Sequence, residues 1–366
     1  MLGVEFPICA FSHCRDVVAG VTNAGGFGVL GAVAHTPELL ETELTWIEQQ
    51  TGGRPYGVDL LLPPKYVGAE QGGIDADKVA ALLPPEHKAF VDDILARYDI
   101  PLPSAEPRAG RGLNVSPKGY EPLLEVALAH NIRLIASALG PPPQDVVDRA
   151  HARDVVVAAL AGNKQHALRH AQAGVDVIVA QGTEAGGHTG EVSTMVLVPE
   201  VVDAVAPIPV LAAGGIARGR QIAAALALGA EGVWCGSVWL TTDEAETPAV
   251  VKDKFLAATS SDTVRSRSLT GKPARMLRTA WTNEWDRPDT PDPLGMPLQT
   301  ALVGNAQGRI NRAAAHPDAK ARELATYFVG QVVGSLDKVR PTRQVVLDMV
   351  EEFVDTIGRL EGLAGA

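Results

Sequence analysis

One histidine, His188, stands among glycines directly after an apolar segment. Residues 175–179 are mainly β-branched, residues 181–182 read Gln-Gly, and Gly186 and Gly187 immediately precede the histidine. Glycines permit positive φ and let a flat or anionic group approach the backbone closely, while an imidazole exchanges protons near neutral pH. The stretch therefore predicts a buried strand that delivers an acid–base group to a ligand pocket. A surface or core histidine is the structural alternative that the residues alone leave open.

Two further glycine turns follow apolar segments later in the chain. Residues 211–216 read Leu-Ala-Ala-Gly-Gly-Ile before a helix-like segment, and residues 233–237 read Val-Trp-Cys-Gly-Ser. Backbone N–H groups in such turns, at the start of a helix, bind phosphate. Two turns after consecutive strands, together with the His188 loop, predict a phosphate-containing cofactor. Tight turns without a ligand are the structural alternative.

Asp59, His13 and Cys14 are weaker candidates for chemistry. Asp59 lies among apolar residues, where a carboxylate is costly unless it is paired, so a ligand-facing position would explain it. His13 and Cys14 are adjacent, but a cysteine nucleophile also needs an orienting group and an oxyanion site. We therefore favour a ligand contact from Asp59 over a Cys–His nucleophile.

Apolar segments alternate with helix-like segments along most of the chain, which is typical of parallel strands joined by helical crossovers. Eight strands are predicted, at residues 5–10, 27–30, 57–62, 132–136, 154–158, 175–180, 209–213 and 232–235, with helices at 17–24, 37–50, 119–131, 143–153, 164–173, 198–205 and 219–228. The predicted fold is an α/β (β/α)8 TIM barrel with its functional groups at the carboxyl ends of the strands. A doubly wound open sheet is the alternative, because periodicity does not show closure.

Three regions are expected along the chain. The barrel occupies residues 1–240 and carries an insertion at about 63–117 after strand three, which includes a helix at 86–98. An insertion of this kind covers an active-site mouth, makes a subunit contact or is a loop without a function. Residues 241–340 are expected to form a helical and loop appendage near the active site. Residues 341–366 carry apolar residues at helical spacing and are expected to form a helix that packs on the barrel.

The composition indicates a soluble globular protein, and it leaves small anionic ligands possible at local sites. The 366 residues carry a formal net charge of −11 without clustered Lys and Arg, which argues against a nucleic-acid partner. No apolar run reaches the roughly eighteen residues of a membrane span, and no signal peptide is recognisable, so we expect a cytoplasmic protein. The three cysteines match neither a disulfide framework nor a zinc site. Assembly into a homo-oligomer is left open.

The glycine motifs together resemble those of the nitronate monooxygenases, formerly called 2-nitropropane dioxygenases, which are FMN-containing (β/α)8 enzymes. The resemblance is carried by residues 181–188, 212–216 and 235–237, and it extends more loosely to residues 2–32 and 57–63. It implies that a nitronate is oxidised by the flavin and O₂ to a carbonyl compound and nitrite. It also implies that His188 is the catalytic base, which deprotonates a nitroalkane or positions its nitronate.

The resemblance further implies which residues hold the FMN. Gln181 and Gly186 fall on flavin-contacting positions, and Gly215 with residues 234–237 falls on the positions that hold the phosphate. The expected cofactor-binding residues are Gln181, Gly182, Gly186, Gly187, Gly214, Gly215, Trp234, Cys235, Gly236, Ser237 and Asp59. No metal is expected.

The sequence departs from the family pattern at three places. At position 59, Asp replaces the Asn that is frequent in the family, and it would put a charge or a proton-donating acid near the flavin. Residues 155–162 lack a lysine that some members have at the end of strand five, and residues 9–13 replace a Gln-containing turn after strand one. Two other functions are therefore kept. FMN-dependent enoyl-acyl-carrier-protein reductases share the Glu-Ala-Gly-Gly-His loop and would use NAD(P)H and an enoyl thioester. A flavin-binding protein without catalytic activity is the third interpretation.

Overall fold

Short apolar segments of this chain form the strands of a barrel. The structure, a computed structural model, describes residues 1–62, 79, 81–101 and 116–364. The strands of the described residues are β1 Ile8–Ser12, β2 Phe27–Gly31, β3 Tyr56–Leu61, β4 Ile132–Ala138, β5 Val156–Ala161, β6 Val177–Gln181, β7 Gly187–His188, β8 Val210–Ala213, β9 Gly232–Cys235, β10 Thr263–Ser266 and β11 Ala274–Leu277. Eight of them close in the order β1-β2-β3-β4-β5-β6-β8-β9, with β9 parallel to β1. The predicted (β/α)8 barrel is confirmed, and the open sheet is excluded.

Helices follow the barrel strands and cover them on the outside. Their bounds in the described residues are α1 Arg15–Asn23, α2 Pro37–Thr51, α3 Pro85–Arg97, α4 Pro117–Ala129, α5 Gln144–His151, α6 Lys164–Gln172, α7 Thr194–Val205, α8 Gly219–Ala227, α9 Ala249–Ala257, α10 Ala280–Trp285, α11 Leu298–Ala313, α12 Ala321–Leu324 and α13 Thr342–Ala364. Thr36 begins α2 in the way that its type predicts, because its hydroxyl accepts the N–H of Leu39 at 3.2 Å. None of the helices in the described ranges is long and apolar enough to cross a membrane.

Alternate residues of the strands point into the barrel. Val58 and Leu60 of β3 pack with helix residues in the outer core, so Asp59 between them points inward. By the same alternation Gln181, the last residue of β6, also points inward. The buried residues of the interior all come from strands: Cys9, Phe27, Val29, Leu134, Ala136, Val156, Ala158, Val177, Val179, Leu211, Ala213 and Trp234. The interior is therefore a packed core, and its polar groups approach a ligand only near the strand ends.

The carboxyl-terminal helix α13 packs against α8 on the outside of the barrel. Gly219 lies directly against the backbone of Met349 and Phe353, where a Cβ atom would collide. Glu352 accepts hydrogen bonds from the Gly219 N–H at 2.8 Å and from the Arg218 guanidinium at 3.0 Å. A carboxylate at the first turn of α8 also interacts favourably with the helix dipole. Close backbone packing and a charged cap thus fix α13 on the barrel.

Several predicted bounds differ from the observed ones for local reasons. β5 begins at Val156 rather than at residue 154, because Asp154 has a φ of 56° that no strand accommodates. α7 begins at Thr194, four residues before the predicted start, because the Glu184 carboxylate accepts the Thr194 N–H. β1 begins at Ile8, since the N–H groups of Glu5 and Phe6 bond instead to the carbonyl of Gly25.

The expected helical and loop segment at 241–340 also contains β-structure. β10 and β11 form an antiparallel hairpin, and β11 pairs with β7 in the histidine-bearing loop. Each hairpin strand has four residues, which is too short for a clear periodic signal. The helix predicted at 86–98 is present as α3. Residues 63–78, 80 and 102–115 of the insertion lie outside the described residues, so what the insertion covers stays a prediction.

Candidate active site

The three predicted motifs meet at the carboxyl ends of neighbouring strands. Gln181 of β6 pairs with Ala213 of β8, and β8 pairs in turn with β9. The His188 loop follows β6, the first turn (residues 214–216) follows β8, and the second turn (residues 236–238) follows β9. The structure therefore brings these motifs to one side of the barrel mouth.

His188 lies in the two-residue strand β7 and is held by the hairpin. It pairs with Ala274 of β11. Its Nε2 atom is 2.9 Å from Thr270 Oγ1, and its ring centroid is 6.4 Å from that of Phe328. Among the described residues its Nδ1 atom has no hydrogen-bonding partner. One ring nitrogen is thus anchored to the protein, and the other is available to a ligand.

The surroundings of His188 keep its imidazole neutral. Burial, and to a smaller extent the positive charge of Lys272, lowers the pKa of His188 to about 4. The side chain is nonetheless partly accessible to solvent. At physiological pH the imidazole therefore carries a lone pair that can accept a proton.

A distant segment fixes the loop that carries this histidine. A Cβ atom on Gly186 would lie 2.8 Å from the amide nitrogen of Gly330, so the two backbones are in direct contact. Gln331 donates its N–H to the Glu184 carbonyl at 2.9 Å. On the other side of the loop, Arg275 donates from Nε to the Thr183 carbonyl at 2.8 Å. Gly186 is therefore needed for packing, whatever its contact with a ligand.

Glu184 and two of the predicted cofactor-binding glycines pack around Thr194. The Glu184 carboxylate accepts the N–H of Thr194 at 3.0 Å and its hydroxyl at 2.9 Å. A Cβ atom on Gly182 or on Gly214 would collide with the Thr194 hydroxyl. The absence of a side chain at these two glycines is thus explained by packing, and Glu184 has the structural role of capping α7.

The two turns present backbone donors that none of the described residues uses. Within the described part of the chain, the N–H groups of Gly215, Ile216 and Gly236 make no hydrogen bond to the protein. Gly215 has a φ of 70°, which glycine adopts readily, and a Cβ atom on Gly236 would meet open space. The Ser237 hydroxyl accepts the Gly330 N–H at 2.8 Å and keeps its own proton for another acceptor. Converging donors of this kind can bind an anion such as phosphate.

Asp59 points into the barrel interior. It is 4% exposed, and among the described residues its carboxyl group has neither a hydrogen bond nor an ion pair. Burial raises the pKa of Asp59 well above its ordinary value. The neutral, proton-carrying form is therefore favoured, and it could donate one hydrogen bond to a ligand.

The remaining predicted residues differ in where their side chains point. Gln181 points inward from the end of β6, and Trp234 stacks on Phe11 in the interior with ring centroids 6.5 Å apart. The Cys235 side chain belongs to the outer core, and burial raises its thiol pKa. Only the backbone of Cys235 can therefore contact a ligand in the barrel mouth. Gly187 has a φ of 76° and open space beside it.

His13 and Cys14 do not form a nucleophile pair. The Nδ1 atom of His13 is 2.9 Å from the Gly31 carbonyl, and the Cys14 thiol donates to the Glu244 carbonyl at 3.1 Å. Burial raises the pKa of Cys14, which disfavours the reactive thiolate. His13 instead packs edge-on against Phe11, with ring centroids 5.1 Å apart.

Four residues around His188 were missed by sequence reasoning. Thr270 and Lys272 flank the turn of the hairpin, and Phe328 and Gly330 lie in an irregular segment. The run Thr-Gly-Lys-Pro at 270–273 is a turn signal that could have located the hairpin. No comparable signal marks the segment around Phe328.

Comparisons with known proteins agree over nearly the whole chain. The sequence model of the nitronate monooxygenase family matches residues 7–352. A candidate monooxygenase from Mycobacterium tuberculosis is 78% identical over 365 residues, which cover 99% of this chain and 97% of that protein.

Two solved structures resemble the fold along its full length. The crystal structure of nitroalkane oxidase from Streptomyces ansochromogenes has a TM-score of 0.80 and 28% identity, and the match covers 98% of each chain. FabK from Thermotoga maritima has a TM-score of 0.69 and 26% identity, and the match covers 99% of this chain and 97% of that one.

Proposed function

This chain belongs to the nitronate monooxygenase family, and on that premise we propose that it is an FMN-dependent monooxygenase that oxidises alkyl nitronates with O₂ to a carbonyl compound and nitrite. Members of this family are flavin-dependent oxidoreductases. The observation that carries the proposal is a neutral imidazole, His188, beside two turns with unused backbone donors at neighbouring strand ends.

The donors of the two turns fit a terminal phosphate. Gly215, Ile216 and Gly236 offer N–H groups, and Ser237 offers a hydroxyl proton. A phosphate accepts several such hydrogen bonds, and backbone dipoles offset its negative charge without a lysine or arginine. We therefore assign these residues to the phosphate of the FMN.

One further feature suits a flavin ring, and a second favours FMN over a dinucleotide flavin. The side-chain amide of Gln181 has no hydrogen bond within the described residues and points inward, which suits the polar edge of a flavin ring. A groove of about 380 Å³ beside Gly214 and Gly215 contains the Glu184 carboxylate and no Lys or Arg side chain. It thus lacks the positive charge that would favour a second phosphate there.

Proton transfer is assigned to His188. With a nitroalkane, the imidazole accepts the proton of the α-carbon, and the electron pair of the C–H bond moves onto the nitro group to form the nitronate. The positive charge of Lys272 near the ring favours an anionic ligand over a neutral one. With a preformed nitronate, His188 only positions the anion. The flavin, when bound, supplies the electron transfer from the nitronate to O₂.

The proposal is tested with the purified protein and defined substrates. An absorption spectrum and analysis of the released cofactor should show FMN, and oxygen uptake with an alkyl nitronate should yield nitrite. Protein that holds no flavin even after reconstitution would overturn the cofactor assignment. Flavin-loaded protein that oxidises no nitronate would overturn the reaction, and inactivity on an enoyl thioester as well would favour a flavin-binding protein without catalytic activity.

The role of His188 is tested by comparing two substrates in one variant. His188→Asn should lower kcat/KM for a neutral nitroalkane by about 10²-fold or more, the range of general-base catalysis, with a smaller loss for the preformed nitronate. Equal losses on both substrates would show that His188 is not a base. Gln at the same position controls for side-chain volume.

A second candidate is an FMN-dependent reductase of enoyl thioesters that uses NAD(P)H. The structural likeness to FabK favours it. Oxidation of NADH or NADPH driven by an enoyl thioester, without oxygen uptake on nitronates, would establish this alternative and exclude the first proposal.

A further inference from the structure

Thr270 connects the imidazole of His188 to the hairpin backbone. It is 8% exposed and lies in the turn between β10 and β11. Its Oγ1 atom is 2.9 Å from His188 Nε2 and 3.1 Å from the carbonyl oxygen of Lys272, to which the hydroxyl donates. The N–H of Lys272 approaches the same oxygen at 3.4 Å. One hydroxyl thus lies between a ring nitrogen and a backbone carbonyl.

The single hydroxyl proton distinguishes the two tautomers of the imidazole. If Nε2 carries the proton, it donates to Thr270, and the hydroxyl donates to the Lys272 carbonyl. If Nδ1 carries the proton instead, the hydroxyl must donate to Nε2, so the Lys272 carbonyl loses its partner. Nδ1–H then has no protein acceptor among the described residues. The Nε2–H tautomer therefore makes one more hydrogen bond within the protein.

We propose that Thr270 is a positioning residue that fixes the Nε2–H tautomer of His188, so that Nδ1 presents the lone pair to the substrate. This inference rests on the proposed function of His188 as a base. The C–H proton of a nitroalkane moves to Nδ1, and the electron pair of that bond moves to the nitro group. Nε2–H remains bonded to Thr270 throughout, so the imidazolium keeps its orientation for returning the proton.

The hydroxyl of Thr270 can be removed without changing the shape of the side chain. Thr270→Val is isosteric, and Thr270→Ser restores the hydroxyl. Thr189→Val is the matched control, because the Thr189 hydroxyl is buried one residue from His188 and has no hydrogen-bonding partner in the described structure. All variants are examined as flavin-containing protein labelled with ¹⁵N at histidine, and His188→Gln identifies the resonances of His188.

The ¹⁵N chemical shifts of the His188 imidazole report which tautomer is present, and they are measured without any substrate. Wild type, Thr270→Ser and Thr189→Val should show His188 protonated at Nε2, and Thr270→Val should lower the ratio of the Nε2–H to the Nδ1–H form by roughly five- to tenfold, the equivalent of one hydrogen bond. Protonation of His188 at Nδ1 in the wild type, or an unchanged ratio in Thr270→Val, would overturn the inference.

Kinetics separate this inference from the proposed function. If His188 is the base, Thr270→Val should lower kcat for a neutral nitroalkane more than kcat for a preformed nitronate, and Thr270→Ser should recover most of the loss. A shifted tautomer ratio with unchanged rates on both substrates would leave the positioning role intact and refute the role of His188 as base. An unshifted ratio refutes the positioning role whatever the rates are.

Discussion

The pH dependence of stability reports the protonation of His188. Burial and Lys272 place its pKa at about 4 in the folded chain, whereas an unfolded histidine titrates near 6.5. Between these values the unfolded chain binds a proton that the folded chain does not. The free energy of unfolding should therefore fall as the pH is lowered from about 6.5 to about 4, and this group should contribute no slope above about pH 7.

The size of the effect follows from the same pKa. A change from 6.5 to about 4 corresponds to about 3 kcal/mol, because one pKa unit is worth about 1.4 kcal/mol. Solvent reaches the partly accessible ring, so we expect a loss of about 2 kcal/mol between about pH 7 and about pH 4.5. In His188→Asn this loss should be absent. Urea unfolding of the flavin-free protein at both pH values measures it.

The difference between wild type and variant isolates this one group. Burial also lowers the pKa of His170, and its contribution is common to both proteins. His316→Asn is the control for removal of a histidine, because His316 is exposed. If wild type and His188→Asn lose the same free energy between the two pH values, the argument that burial keeps this imidazole neutral is wrong.

Four further substitutions test the packing and charges of the site. Gly186→Ala places a Cβ atom 2.8 Å from a backbone nitrogen and should lower the free energy of unfolding by about 1–3 kcal/mol. Gly187→Ala places its Cβ atom in open space, so only the strain of a positive φ should lower the free energy of unfolding, by about 1 kcal/mol. Urea unfolding of both variants measures the difference. Asp59→Asn should be more stable than wild type at neutral pH and should lose that advantage near pH 4. The reason is that Asp59 keeps its proton at neutral pH in the folded chain and releases it in the unfolded chain. An equal difference in stability at both pH values would contradict this. Lys272→Met should raise the pKa of His188 by less than about one pH unit, since the lysine is exposed, and an NMR titration that shows no rise would exclude its electrostatic role.

The barrel could be predicted because its signals are local. Parallel strands that are buried on both faces read as short apolar runs, and the turns after β6, β8 and β9 contain glycines at fixed offsets. The predicted ends of helices and strands were less accurate than the elements themselves where a single contact decides the end. The start of α7 depends on Glu184, ten residues earlier in the chain, and no periodic pattern encodes that hydrogen bond.

The setting of His188 could not be predicted because its contacts are distant in the chain. Thr270 is 82 residues away, and the strand that carries the histidine has only two residues. The pairing of β7 with β11 becomes visible only in three dimensions, since neither the hairpin nor the short strand has a periodic signal. The sequence therefore indicates that His188 is functional, while the structure shows which nitrogen is held.

The site is built from two structurally different halves. The half that we propose holds the phosphate consists of backbone N–H groups at the ends of β8 and β9, so any chain that forms this barrel with these turns provides it. The proton-transfer half depends on side chains of the hairpin, namely Thr270 and Lys272, and on the contact between Gly186 and Gly330. Changes in the hairpin can therefore alter the reaction while the flavin stays bound. For the same reason, flavin content alone is a poor test of function for this chain.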